Sequence, residues 1–141
     1  MRKAVFLVCL LTTSLCFSDE SPIEVQHLSQ AIQIKTVSHE DPRKFDVEAF
    51  DQFLEFLRKT YPRVFSELEV TVINDYSLIF KWAGSDDSLR PVLIDAHYDV
   101  VPVEPGTEDD WDFEPYSGEV KDGFVLGRGA VDNKSWAMRA R

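Results

Sequence analysis

Apolar positions first recur at helical spacing, then alternate, and finally run without interruption, so the chain reads as helices followed by strands. Val25, Leu28 and Ile32 share one face of a helix opened by Ser21-Pro22-Ile23-Glu24, where Ser21 can cap and Glu24 can close a capping box. A second helix is predicted from about Phe45 to Tyr61. Its stripe is Val47, Phe50, Leu54 and Leu57, widened by Phe53 and Phe56, and Pro62 ends it. Phe65 and Leu68 suggest a further turn. Residues 69–74 and 77–82 read as strands joined tightly at Asp75-Tyr76. Pro91-Val92-Leu93-Ile94 opens a strand whose continuous apolar run suits cover on both faces. A final hairpin, 116–121 and 124–128, turns at Asp122-Gly123. Two helices, strands and a buried strand together indicate an α/β fold built on an open mixed sheet with flanking helices. No segment repeats or is low in complexity.

At 141 residues the chain has room for one modest domain. The formal charge of −10 argues against a nucleic-acid partner, which requires a basic footprint. The N-terminus carries its own pattern. Met1-Arg2-Lys3 precedes the apolar run Ala4 to Leu11, and Cys16 and Ser18 fall at −3 and −1 of a cut before Asp19. Residues 1–18 thus read as a secretory signal peptide, which places the mature chain, 19–141, outside the cell. An uncleaved signal anchor is the alternative, but the run is short for a bilayer, and no stable membrane span is expected. Both cysteines, Cys9 and Cys16, lie in this segment, so the mature chain would hold neither a disulfide nor a thiolate metal site.

The candidate chemistry sits at the strand ends, where ligands collect in open α/β sheets. Asp95, His97 and Asp99 share a side while the chain stays extended. His97 suits a metal ligand with Asp99 orienting its ring, although the tripeptide alone favours an ordinary His–Asp hydrogen bond at a strand end. Asp132 follows the turn Gly127-Arg128-Gly129-Ala130, whose glycines permit close backbone approach. Its carboxylate can point back to His97 and bridge two cations, or simply cap the short helix that follows. Arg128 can orient a carboxylate or enter a structural ion pair. The acidic loop Glu108 to Asp112 lacks the ligand pattern and glycine of a calcium loop and reads as solvated. His27 and His39 have no partner pattern and read as ordinary surface or half-buried histidines.

The set His97-Tyr98-Asp99-Val100-Val101-Pro102, Trp111, Pro115-Tyr116 and Gly127-Arg128-Gly129-Ala130-Val131-Asp132-Asn133-Lys134 resembles metallopeptidase family 20 in order and spacing. That family includes aminoacylases, carboxypeptidase S and the secreted N-fatty-acyl-amino-acid synthase/hydrolases. The resemblance implies that His97 ligates one zinc ion, that Asp99 clamps its imidazole as the catalytic aspartate, and that Asp132 bridges two zinc ions. It also implies a cis Asp132–Asn133 peptide bond. The implied reaction is metal-assisted hydrolysis of the amide bond in a peptide or N-acyl amino acid. The family's general base, remaining ligands and dimerisation region would follow Arg141. The expectation is therefore the N-terminal part of a catalytic domain, inactive alone and of unassigned oligomeric state. A short secreted binding product without catalysis is the alternative.

Overall fold

The computed structural model describes residues 21–139. Residues 1–18, with Cys9 and Cys16, which the sequence pattern marks as a signal peptide, lie outside the described residues. Helix α1 spans Ile23–Gln33 and α2 spans Val47–Thr60, followed directly by the short α3, Pro62–Glu67. The first helix begins one residue later than the capping-box reading requires. Pro22 takes the cap position in an extended conformation and no side chain caps the helix; Ser21 instead accepts a bond at its carbonyl from Gln26 Nε2 at 2.7 Å. The second helix does have a cap, Asp46, whose Oδ1 accepts the Ala49 N–H at 3.1 Å.

The two helices meet through the stripes read from the sequence. Ala31 and Ile34 at the end of α1 pack on Phe53 of α2 and on Met138, with Leu28, Phe56, Leu57, Tyr61 and Tyr98 around them. Phe53 is fully buried, and the Tyr98 ring lies flat on it, 4.5 Å between centroids at 7°. Truncating a ring in this setting costs about 3–5 kcal/mol, so Phe53 is the main apolar link between the helices and the strand-end motif. Val47, assigned to the same stripe, is exposed because it stands in the first turn, beyond the reach of α1. No helix of the described residues is long and apolar enough to cross a membrane.

The strands pair as two separate antiparallel hairpins: β1, Glu69–Ile73, with β2, Ser77–Lys81, and β3, Val120–Lys121, with β4, Phe124–Val125. The first turn takes three residues, because Asn74 and Asp75 both adopt positive φ and Ile73 pairs with Ser77. The second turns at Asp122-Gly123 as expected, both with positive φ, but its strands are far shorter than the alternation suggested. The architecture is mixed helix and small antiparallel sheets, α/β in class. The single open mixed sheet is not formed by the described residues. Pro91 to Ile94 lies unpaired, with Val92, Leu93 and Ile94 exposed at 87%, 90% and 74%. An apolar run encodes the demand for cover on both faces without encoding which segment supplies it. Among the described residues the one parallel pairing is the bridge from Val37 to Val100.

Candidate metal centre

That bridge fixes the first arm of the site. Thr36, fully buried, donates from Oγ1 to the Tyr98 carbonyl at 2.6 Å; Val100 N–H donates to the Thr36 carbonyl and Ser38 N–H to the Val100 carbonyl, both at 2.9 Å. The segment just after α1 therefore holds residues 98–100 by its backbone. Ser38 adds a side-chain bond, donating from Oγ to Asp99 Oδ2 at 2.6 Å. The other carboxylate oxygen, Oδ1, stands 3.2 Å from His97 Nδ1, and the Asp99 carbonyl is 3.1 Å from the same nitrogen.

The second arm is the wide, interrupted helical turn Ala130–Lys134 leading into α4, Ser135–Ala137. Asp132 and Asn133 break its helical dihedrals, and the bond between them is cis, as the family resemblance implies. Gly129 enters the turn at φ 86, where an added Cβ would collide with the Val100 side chain. The two arms thus touch at Gly129 and Val100. At the end of the turn, Lys134 is completely buried. Its ammonium donates to the carbonyls of Ala31 at 2.8 Å and Ile34 at 2.7 Å and lies 5.1 Å from the Phe53 ring centre. Burial pulls its pKa down to about 7, against the charge of Asp99, which raises it. The two carbonyl bonds favour the charged form.

Between the arms, His97 Nε2 faces Asp132 Oδ1 at 2.9 Å. The pair lines a cleft of about 250 Å³ with Asp99, Trp111 and Arg128. Burial pulls the His97 pKa down, but the bonds to the Asp99 backbone and to Asp132, with both carboxylate charges, outweigh it and raise it overall. Nδ1 faces two oxygens of Asp99, and Nε2 faces Asp132 Oδ1. Nδ1 therefore belongs to Asp99, while Nε2 and Asp132 present an imidazole and a carboxylate to the same point. This is a borderline-metal donor set with its orienting carboxylate in place. His97 and Asp132 fit a metal ion in kind, with Asp99 on the far side of the ring; among the described residues no three or more His, Cys, Asp and Glu side chains are placed to hold one ion together.

His97 lies within hydrogen-bond distance of both Asp99 and Asp132. Asp95, on the same side by strand alternation, is not in the cluster. Arg128 makes no ion pair among the described residues: its backbone N–H donates to the Pro115 carbonyl at 2.6 Å and its guanidinium lies 4.9 Å from the Trp111 ring centre. The acidic loop forms an exposed turn, Glu108–Asp110, as read. His39 is exposed, and His27 is half-buried with Nδ1 3.1 Å from the Tyr61 hydroxyl. Ser38, Thr36 and Lys134 were missed. Lys134 carried a usable signal, since it lies four residues before the buried Met138 and so in phase with the core. Ser38 had none, because an isolated serine in a loop has no period.

Residues 93–139 match the model of Peptidase family M20/M25/M40. Relatives extend the similarity over most of the chain. Probable carboxypeptidase S-like 1 of Dictyostelium discoideum is 37% identical over 145 residues, covering 95% of this chain and 29% of the relative. The N-fatty-acyl-amino acid synthase/hydrolase PM20D1 of Bos taurus is 42% identical over 125 residues, 86% of this chain and 24% of its own length. Carboxypeptidase S of Saccharomyces cerevisiae is 36% identical over 118 residues, 79% of this chain and 20% of its own. The chain spans at most 29% of the length of these relatives. His97, Asp99 and Asp132 all lie within the matched segment, so the part of the chain that carries the site is similar to peptidase family M20/M25/M40.

Proposed function

We propose that this chain supplies the His97/Asp132 metal ligands of a secreted, zinc-dependent amidohydrolase or carboxypeptidase acting on peptides or N-acyl amino acids. The observation that carries the reading is the convergence of His97 Nε2 and Asp132 Oδ1 at 2.9 Å, with Asp99 on the opposite ring nitrogen. The match of residues 93–139 to a peptidase family and relatives named for carboxypeptidase and acyl-amino-acid chemistry support it. Secretion rests on the basic-then-apolar pattern of residues 1–18.

Each residue has a separable task. His97 would offer its Nε2 lone pair to a metal ion, and Asp99 on Nδ1 would fix the tautomer that leaves Nε2 free to do so. Asp132 offers a carboxylate with two oxygens, the type of group able to bridge two cations. Ser38 fixes the rotamer of Asp99 through the 2.6 Å bond. A bound metal ion would supply Lewis acidity toward water and the amide carbonyl. Trp111 and Arg128 wall one side of the cleft where substrate would approach.

The test uses the full-length protein, assayed for amino-acid release from N-acyl amino acids and from peptides with free C-termini. Activity should vanish with a chelator and return with zinc. His97→Ala and Asp132→Ala should each lose at least ~100-fold, the upper end of what altering a ligand's surroundings alone costs. Undiminished turnover in chelator and in both variants would sink the reading. Zinc binding without turnover on either substrate class would favour the alternative, a secreted binding product. That alternative draws on the fact that only two donors face each other among the described residues.

A further inference from the structure

A lysine with no exposed surface needs a reason to be there, because a buried ammonium is costly unless its donors are met. Lys134 meets two of them with the carbonyls of Ala31 and Ile34. Those carbonyls belong to the last turn and C-cap of α1, where helix geometry leaves acceptors without partners and the dipole favours a cation. The Phe53 ring accepts the remaining face of the ammonium at 5.1 Å. The hydrogen bonds and the ring contact that hold the Lys134 head thus belong to α1, its cap or the α2 core, and Asp99 acts on it through charge. None belongs to the turn that carries Asp132.

The position of that anchor is what matters. Ile34 is followed at once by Thr36 and Ser38, the residues that bond Tyr98, Asp99 and Val100. One stretch of eight residues, Ala31 to Ser38, therefore grips both arms of the site: the His97 arm through backbone bonds and Ser38, the Asp132 arm through Lys134. The bonds from Lys134 reach across 103 and 100 residues of sequence. The turn's own backbone bonds, Lys134 N–H to the Gly129 carbonyl and Ala130 N–H to the Gly127 carbonyl, set its internal shape but not its register against His97.

We propose that Lys134 is a positioning residue: by capping the C-terminal end of α1 it sets the register of Asp132 against His97, and through Asp132 it governs metal affinity. The inference rests on the metal reading of the site given above, but not on any substrate. It predicts that Lys134 acts on the metal only through Asp132, a dependence that a merely structural lysine would lack.

The experiment is a double-mutant cycle on zinc affinity in the full-length protein, by competition with a chromophoric chelator at fixed pH. Lys134→Met should weaken zinc binding by ~10-fold or more, the range seen when groups that orient ligands are removed. In an Asp132→Asn background the same change should cost less than about twofold, by the logic of such cycles. Equal losses in both backgrounds, or no loss in either, overturn the proposal. Lys134→Gln keeps a neutral donor able to reach one carbonyl. It should fall between the lysine and methionine forms, and it carries the same cycle if Lys134→Met does not fold. If the unaltered protein binds no zinc, the metal reading falls with the proposal. Zinc binding with additive losses refutes the role of Lys134 alone.

Discussion

Ser38 shows how much a single hydroxyl can contribute at this site. Its 2.6 Å bond holds Asp99 Oδ2, leaving Oδ1 for His97. Ser38→Ala should leave the fold intact, cost about 1 kcal/mol of stability and weaken zinc binding several-fold, as expected for a neutral donor to a carboxylate. Chelator competition beside urea unfolding separates the two effects; unchanged affinity would show that Asp99 is held without it. Tyr98, next to His97 and Asp99, holds its proton more tightly than a free phenol. Burial, with the Asp99 charge, pushes its phenol up to about 12, and the hydroxyl donates to the Tyr76 carbonyl at 2.6 Å. An unfolded tyrosine releases its proton near ~10. The folded protein holds the proton longer, so the contribution of Tyr98 is intact below pH ~10 and is lost as pH rises through the folded value. Measured from pH 9 upward, unfolding free energy should fall more steeply in the native protein than in Tyr98→Phe. Parallel curves would count against it.

Among the elements, the glycine turn and the strand end are matched surfaces. Gly129 has φ 86, and its missing side chain leaves room for Val100, which is 3% exposed. Gly129→Ala should therefore destabilise by more than ~1 kcal/mol, from the left-handed backbone and the collision together. Adding Val100→Ala should recover part of that loss in urea unfolding, since it removes the collision but not the backbone strain. No recovery would mean that the contact is soft. This is also where sequence legibility changes. His97, Asp99 and Asp132 could be read because residue type and nearby glycines mark them locally. Helices α1 and α2 could be read because their stripes persist for several turns. The cap of α1 was misread because Pro22 displaced the start by one residue, a shift that periodicity does not detect. Thr36, Ser38 and the true partner of Val100 were invisible because their meaning lies in residues about sixty positions away.

At the scale of the molecule, the described chain carries an apolar run that it does not cover. Val92, Leu93 and Ile94 stand in water beside unpaired backbone, the combination that templates pairing with another strand. The 141-residue chain should self-associate with increasing concentration in sedimentation runs. Val92→Lys with Leu93→Lys should suppress this, and a monomer at all concentrations would contradict the expectation. The grip of Ala31 to Ser38 on both arms also bears on how the site comes into being. Its decisive bonds join residues separated by 61, 62, 100 and 103 positions, so they are closed late and slowly relative to helix formation. Helix content during refolding would then rise well before any capacity to take up zinc, and the lag between the two signals would time the docking of the two ends of the chain.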